Sequence, residues 1–124
     1  MTDEAMKTLR DTLLNAGIPK VYIGDLPELQ LDCVAIKAVP GYPNTMYFGQ
    51  TDVLEPLISV STRASEFATG ESISTLAMKT LNQYSNKNVG ILQARVTGSP
   101  GFLGKNAKGF YEWHCVVHVT LTDY

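Results

Sequence analysis

The chain has 124 residues, 44% of them hydrophobic and 18% charged, with a formal charge of −2 and a pI near 5.6. That length suits one domain with one core, because two folded units would each approach the size at which a core becomes marginal. The acidic balance argues against broad nucleic-acid binding, which needs a basic face to displace counterions from phosphate. No apolar run approaches the roughly 18 residues of a membrane span, and the N-terminus lacks the basic and apolar regions of a signal peptide.

Thr2 is placed to cap a first helix whose opening turn carries Asp3 and Glu4, the charge sign favoured at the positive end of the helix dipole. Met6, Leu9 and Leu13 form its apolar stripe. Gly17 supplies a left-handed stop, Ile18 folds back on Leu13, and Pro19 prevents continuation, so the helix ends near Ala16. Lys20 to Gly24 reads as a short strand and Cys33 to Val39 as a second. From Pro40 to Pro56 the chain is a long connection rich in Gly, Pro and Asn that nevertheless carries Tyr42, Met46, Tyr47 and Phe48. Long loops without secondary structure are usually functional or disordered, and this one is too apolar for disorder. Either it packs over its own sheet or it meets another protein, since aromatics and Met are enriched at interfaces.

Leu57 to Arg63 alternates as a strand and leads into a helix capped by Ser65, with Ile73, Leu76, Ala77, Thr80, Leu81 and Tyr84 on one face. Gly70 inside that helix costs up to about 1 kcal/mol relative to alanine, and close approach of another backbone is a reason for it. The cluster Asn86, Asn88 and Gly90 ends the helix. Val89 to Thr97 is a further strand, Gly98 to Gly109 a glycine-rich loop, and Phe110 to Thr122 a long final strand. In that last strand Tyr111, Trp113, Cys115, Val117, Val119 and Leu121 share one face. It exceeds the usual strand of about 5–6 residues, so it extends past its own sheet or pairs with more than one neighbour, which points to assembly.

The order α-β-β-β-α-β-β predicts an α+β fold: an antiparallel or mixed sheet of about five strands, two helices on one face, and a long C-terminal hairpin. Phe102 and Leu103 form an apolar pair on the hairpin tip, flanked by Lys105 and Lys108. That combination suits an acidic, partly apolar partner surface. Eight acidic and four basic side chains fall in residues 1–62 and four acidic and six basic in 63–124, a polarity able to align copies head to tail.

Signals for chemistry are weak. His114 and His118 on a strand lie about 13 Å apart, too far to share a zinc ion held at about 2.1 Å by each ligand. Gly104-Lys105 lacks the upstream glycine and following Ser or Thr of a phosphate loop, and no serine sits in a G-x-S-x-G elbow. Cys33 and Cys115 fall in separate strands, where reduced core thiols are the expectation for a cytosolic chain. No cofactor, metal or catalytic residue is expected.

The segments VYIGDLPELQLDCVAIKAVPGYP, PLISVSTRA and SPGFLGKNAKGFYEWHCVVHVTL, with their strand-glycine-proline cadence and terminal hairpin, resemble the tail terminator proteins of long-tailed bacteriophages. These are also labelled tail completion or minor capsid proteins. The resemblance spans nearly the whole chain. It implies a ring, commonly of six copies, that caps the tail tube and presents a surface to the head-completion (stopper) protein, without catalysis, cofactor or membrane. It places the protein in the tail-neck region of the virion, assembled in the bacterial cytoplasm. A neck component contacting DNA and a small cytosolic hydrolase are the alternative readings. Tyr42, Met46, Tyr47, Phe48, Phe102, Leu103, Lys105 and Lys108 are the candidate interface residues.

Overall fold

The computed structural model describes residues 3–28, 30–39, 53–54, 56–97 and 101–122. Helix α1 spans Asp3–Asn15 and buries Ala5, Met6, Leu9 and Leu13. Its end follows the sequence signal: Gly17 has φ 112° and the Ile18 N–H donates to the Leu13 carbonyl at 3.4 Å. Ile18 and Leu13 are both buried, so the chain folds back over the last turn. The proposed cap Thr2 lies outside the described residues.

Strand β1 (Val21–Ile23) pairs in parallel with β2 (Cys33–Ala38). All other pairings are antiparallel, so the sheet is mixed. A two-residue strand β3 (Val53–Leu54) precedes β4 (Leu57–Ala64), whose Ile58, Val60, Thr62 and Ala64 are buried while the alternate residues are half-buried. Helix α2 covers Phe67–Leu81. Three strands follow: β5 (Ile91–Val96), β6 (Gly101–Lys105) and β7 (Tyr111–Thr122).

The sheet has seven strands instead of about five, the additions being β3 and β6. Its axis is β7. Trp113 pairs with Thr62 of β4 on one side and Phe102 of β6 on the other, and Leu121 pairs with Leu54 and Ile91. The long strand therefore does have more than one neighbour, but they all belong to the same chain. Its length is used within the subunit and no longer argues for assembly by itself.

One face of the sheet carries both helices. Leu9 and Leu13 of α1 and Ile73, Ala77 and Leu81 of α2 share one core with Val34, Ile36, Ile58, Val60, Cys115, Val117, Val119 and Leu121. Cross-strand partners keep these side chains on one side of the pleat, as the alternation of β7 requires.

Helix α2 departs from expectation at both ends. Glu66, not Ser65, holds the N-cap position and makes no side-chain bond there; the Ser65 N–H donates instead to Asp32 Oδ1 at 3.4 Å. The helix stops at Leu81, short of Tyr84. Beyond it Gln83 takes φ 65°, and its N–H donates to the Ala94 carbonyl at 2.8 Å, while Ala94 N–H donates to the Tyr84 carbonyl. Pairing with β5 competes with another helical turn and satisfies the same backbone groups. Tyr84 keeps its inward role, packing on the core and accepting a hydrogen bond from Thr12 Oγ1 at 3.2 Å.

Candidate functional site

The segment expected as a loop from Gly98 to Gly109 contains β6, so Phe102 and Leu103 sit on a strand and not on a flexible tip. The sequence hid this strand because Gly101 and Gly104 carry no side chains to pack and only two residues of the five are large and apolar. Pairing is enforced by β7, whose N-terminal half otherwise faces solvent on that edge. The tip itself is the tight turn after β6. Asn106 Oδ1 accepts from the N–H groups of Lys108 at 2.9 Å and Phe110 at 3.0 Å, and Gly109 takes φ 83°. An asparagine side chain standing in for backbone is the usual device of such turns.

Four rings gather where this hairpin meets the start of α2. Phe67 stands edge-on to Phe102 (centroids 5.2 Å, 79°) and to Tyr111 (6.0 Å, 83°). Trp113 lies 5.5 Å from Phe67 and 5.1 Å from Phe102. Offset and edge-to-face pairs of this kind add about 0.5–1.5 kcal/mol each beyond area burial. Lys105 Nζ sits 5.1 Å above the Tyr111 ring, within cation–π range. Trp113 fills the helix–sheet gap so closely that a Cβ on Gly70 would lie 2.0 Å from its Cζ3. The close approach expected at Gly70 is real, but the neighbour is an indole ring and not backbone.

The cluster is only half covered. Phe67 is 44% exposed, Phe102 48% and Leu103 68%. Leu103 is the additional residue of a bulge between Phe102 and Gly104, and Lys105 and Lys108 are near it on the hairpin. Of the candidate interface residues, Phe102, Leu103, Lys105 and Lys108 thus share one hairpin. Tyr42, Met46, Tyr47 and Phe48 lie outside the described residues. The sequence reading missed Phe67, whose signal was present: Phe67, Gly70, Ser74, Ala77 and Leu81 continue the buried stripe of α2 back to its first turn.

On the opposite face of the sheet polar side chains pair across strands, beside the buried Cys33 and Ala35. Both Arg63 Nε (3.3 Å) and Nη2 (3.2 Å) donate to Glu112 Oε2, and Arg63 Nη1 donates to the Pro27 carbonyl at 2.8 Å. A cavity of about 220 Å³ lies beside this ion pair, lined by Glu28, Arg63, Asn106, Ala107, Lys108 and Phe110. Its guanidinium is already committed to Glu112 and Pro27. Ser59 Oγ and His114 Nε2 are 2.9 Å apart; among the described residues no carboxylate bonds to that histidine, and neither side chain lines the cavity.

Cys33 and Cys115 are free and buried. They face opposite sides of the sheet, since Cys33 pairs with Arg63 on the polar face and Cys115 with Val60 in the core. Burial raises the Cys115 thiol from 9.0 to about 11. It also raises Cys33, against the opposing pull of Arg63 and Lys20. Thiols held in this state are poor nucleophiles. Among the described residues no three His, Cys, Asp or Glu side chains converge on a metal position, and no helix is long and apolar enough to cross a membrane.

The solved structures offer a relative in fold. A chain from the structure "Virion of native gene transfer agent (GTA) particle" aligns with a TM-score of 0.50 at 14% identity, covering 89% of this chain and 84% of that one. No curated protein sequence matches. The sequence profile of the family described as Bacteriophage tail terminator protein matches residues 5–123, taking in both helices and the whole sheet. A match of that extent means that the chain belongs to the bacteriophage tail terminator protein family, a family of structural proteins of the phage tail.

Proposed function

We propose that copies of this chain, acting as a single folded unit each, close into a ring of about six that caps the phage tail tube, stops its polymerisation and offers the joining surface for the head-completion (stopper) protein. The protein works by binding and not by catalysis, in the tail-neck region of a virion assembled in the bacterial cytoplasm. Its partners are itself, the tail tube protein and the head-completion protein. The observation that carries this reading is the family match across residues 5–123. The half-exposed cluster of Phe67, Phe102 and Leu103 supports it as a docking surface, because hot spots at protein interfaces are rich in aromatic side chains set in an apolar surround. The fold likeness to a chain of a virion particle is in keeping with assembly among virion proteins. Tyr42, Met46, Tyr47 and Phe48 supply a second contact in this proposal, on the strength of their composition.

The test is to add the purified protein to polymerising tail tubes and image the products. Tubes that end in a ring of added density and stop growing are expected. Tubes that grow unchecked, or a protein that instead elutes with nucleic acid by its absorbance ratio, would overturn the reading.

A further inference from the structure

The large exposed apolar side chains among the described residues are not scattered. Leu14 (39%) and Ile23 (44%) lie on α1 and β1, at one edge of the sheet, whereas Phe67 (44%), Phe102 (48%) and Leu103 (68%) lie at the other, with Leu92 (37%) further along the same edge on β5. Three strands, β2, β4 and β7, stand between β1 and the β5–β6 edge, which sets the edges about 19 Å apart at the usual strand spacing. Formal charge divides the same way. Residues 3–39, which form α1, β1 and β2, carry six acidic and four basic side chains; residues 56–86, which form β4 and α2 and include Phe67, carry two of each sign; residues 87–122, which form β5, β6 and β7, carry four basic ones and Glu112 alone as acid.

We infer that neighbouring copies meet head to tail, with the aromatic end of the β6–β7 hairpin (Phe67, Phe102, Leu103 and Lys105) of one copy docked on the α1–β1 edge (Leu14 and Ile23) of the next. This rests on the ring reading and names the surfaces that make the ring. A two-fold contact centred on this aromatic end would bring Lys105 close to its own copy, and like charges in apposition oppose association. A contact between the two different edges joins a basic side to an acidic one. It is also heterologous, the type that generates rings when the rotation closes.

The contact is made by side chains and not by adding a strand. On the β5–β6 edge the pairing with β7 slips twice, between Ile91 and Gln93 and between Phe102 and Gly104. The additional residues are Leu92 and Leu103. Bulges of this kind spoil the run of backbone groups that another strand would need, while leaving both leucines exposed.

The experiment is cysteine cross-linking of the full chain. Ile23→Cys and Leu103→Cys are made singly and together, and the same is done for Leu14→Cys with Phe102→Cys. These positions are exposed, and the native thiols are buried, so mild oxidation reads the new pairs alone. A ladder from dimer upward on a non-reducing gel is expected for a double variant, with monomer for each single variant. A dimer from Leu103→Cys alone would overturn the proposal in favour of a two-fold contact. Because disulfide geometry is strict, a second reading accompanies the first: Lys105→Glu with Lys108→Glu is expected to weaken self-association roughly tenfold or more, measured by light scattering, with an unchanged circular dichroism spectrum. If the unaltered chain associates but neither double variant cross-links and the charge reversal changes nothing, the ring stands and this pairing of surfaces falls. If the unaltered chain stays monomeric with and without tail tubes, the ring reading itself falls.

Discussion

Replacing Gly70 by alanine tests the helix–sheet junction on which the aromatic end of the molecule depends. Alanine favours a helix over glycine by up to about 1 kcal/mol, so on propensity alone the variant is more stable. The geometry predicts the reverse. The new methyl would stand 2.0 Å from Trp113 Cζ3 and 2.3 Å from Cη2, where carbon atoms ordinarily rest at about 3.5–4.0 Å. Relief therefore requires a shift of roughly 1.5 Å by the ring or the helix, taking that contact distance as the target. Trp113 is 3% exposed and flanked by Phe67 and Phe102, so its ring has nowhere to go. Overpacking costs about 1–3 kcal/mol, and after a propensity gain of about 1 kcal/mol a net loss of up to about 2 kcal/mol remains, or up to several degrees in Tm for a domain of this size. The assay is urea unfolding followed by circular dichroism, in the native background and in Trp113→Phe, which shortens the ring nearest Gly70. In that second background Gly70→Ala is expected to be neutral or stabilising. Equal or greater stability in the native background, or the same loss in both, would refute the reasoning.

Three other outcomes follow from the described geometry and the proposed interface. Cys115 is raised from 9.0 to about 11 by burial, so its contribution is fully present below about pH 9 and is lost as pH rises toward about 11, because the unfolded chain ionises first. The unfolding free energy between pH 8 and 10.5 is expected to fall less steeply in Cys115→Ala than in the native protein, by about 2 kcal/mol at most across that window; parallel slopes would contradict it. EDTA is expected to leave Tm unchanged, and a fall of more than a few degrees would show a metal that stabilises the native state. Replacing Tyr47 and Phe48 together by Ser is expected to weaken self-association, with hot-spot losses of about 2 kcal/mol or more, while secondary structure is retained; loss of the fold would place those rings in the subunit's own core instead.

Much of the fold is legible in the sequence because its signals are local. The Gly17-Ile18-Pro19 stop of α1 and the strict alternation of β4 and β7 each depend on residues a few positions apart, and each appears where expected. What escaped depends on partners distant in the chain. Strand β6 exists because β7 has an open edge, and its two glycines conceal it. The stop of α2 at Leu81 is set by backbone pairing of residues 83–86 with β5 and not by the apolar stripe, which runs on to Tyr84. The candidate site shows the same division. Phe102, Leu103, Lys105 and Lys108 were found together because they are adjacent in sequence, whereas Phe67 joins them only through the packing of α2 on β7. The consequence is practical: cutting residues 98–109 back to a two-residue turn would remove a strand and the Phe102 ring packed on Trp113, so it is expected to destabilise the fold.

The central claim is that this protein ends tail growth. Its most direct test is the length distribution of tails, measured by electron microscopy, in lysates of a phage from which the gene for this chain has been removed. Overlong tails without heads, restored to uniform length when the protein is supplied in trans, are the predicted result. Tails of normal length joined to heads, in infectious particles, would contradict it.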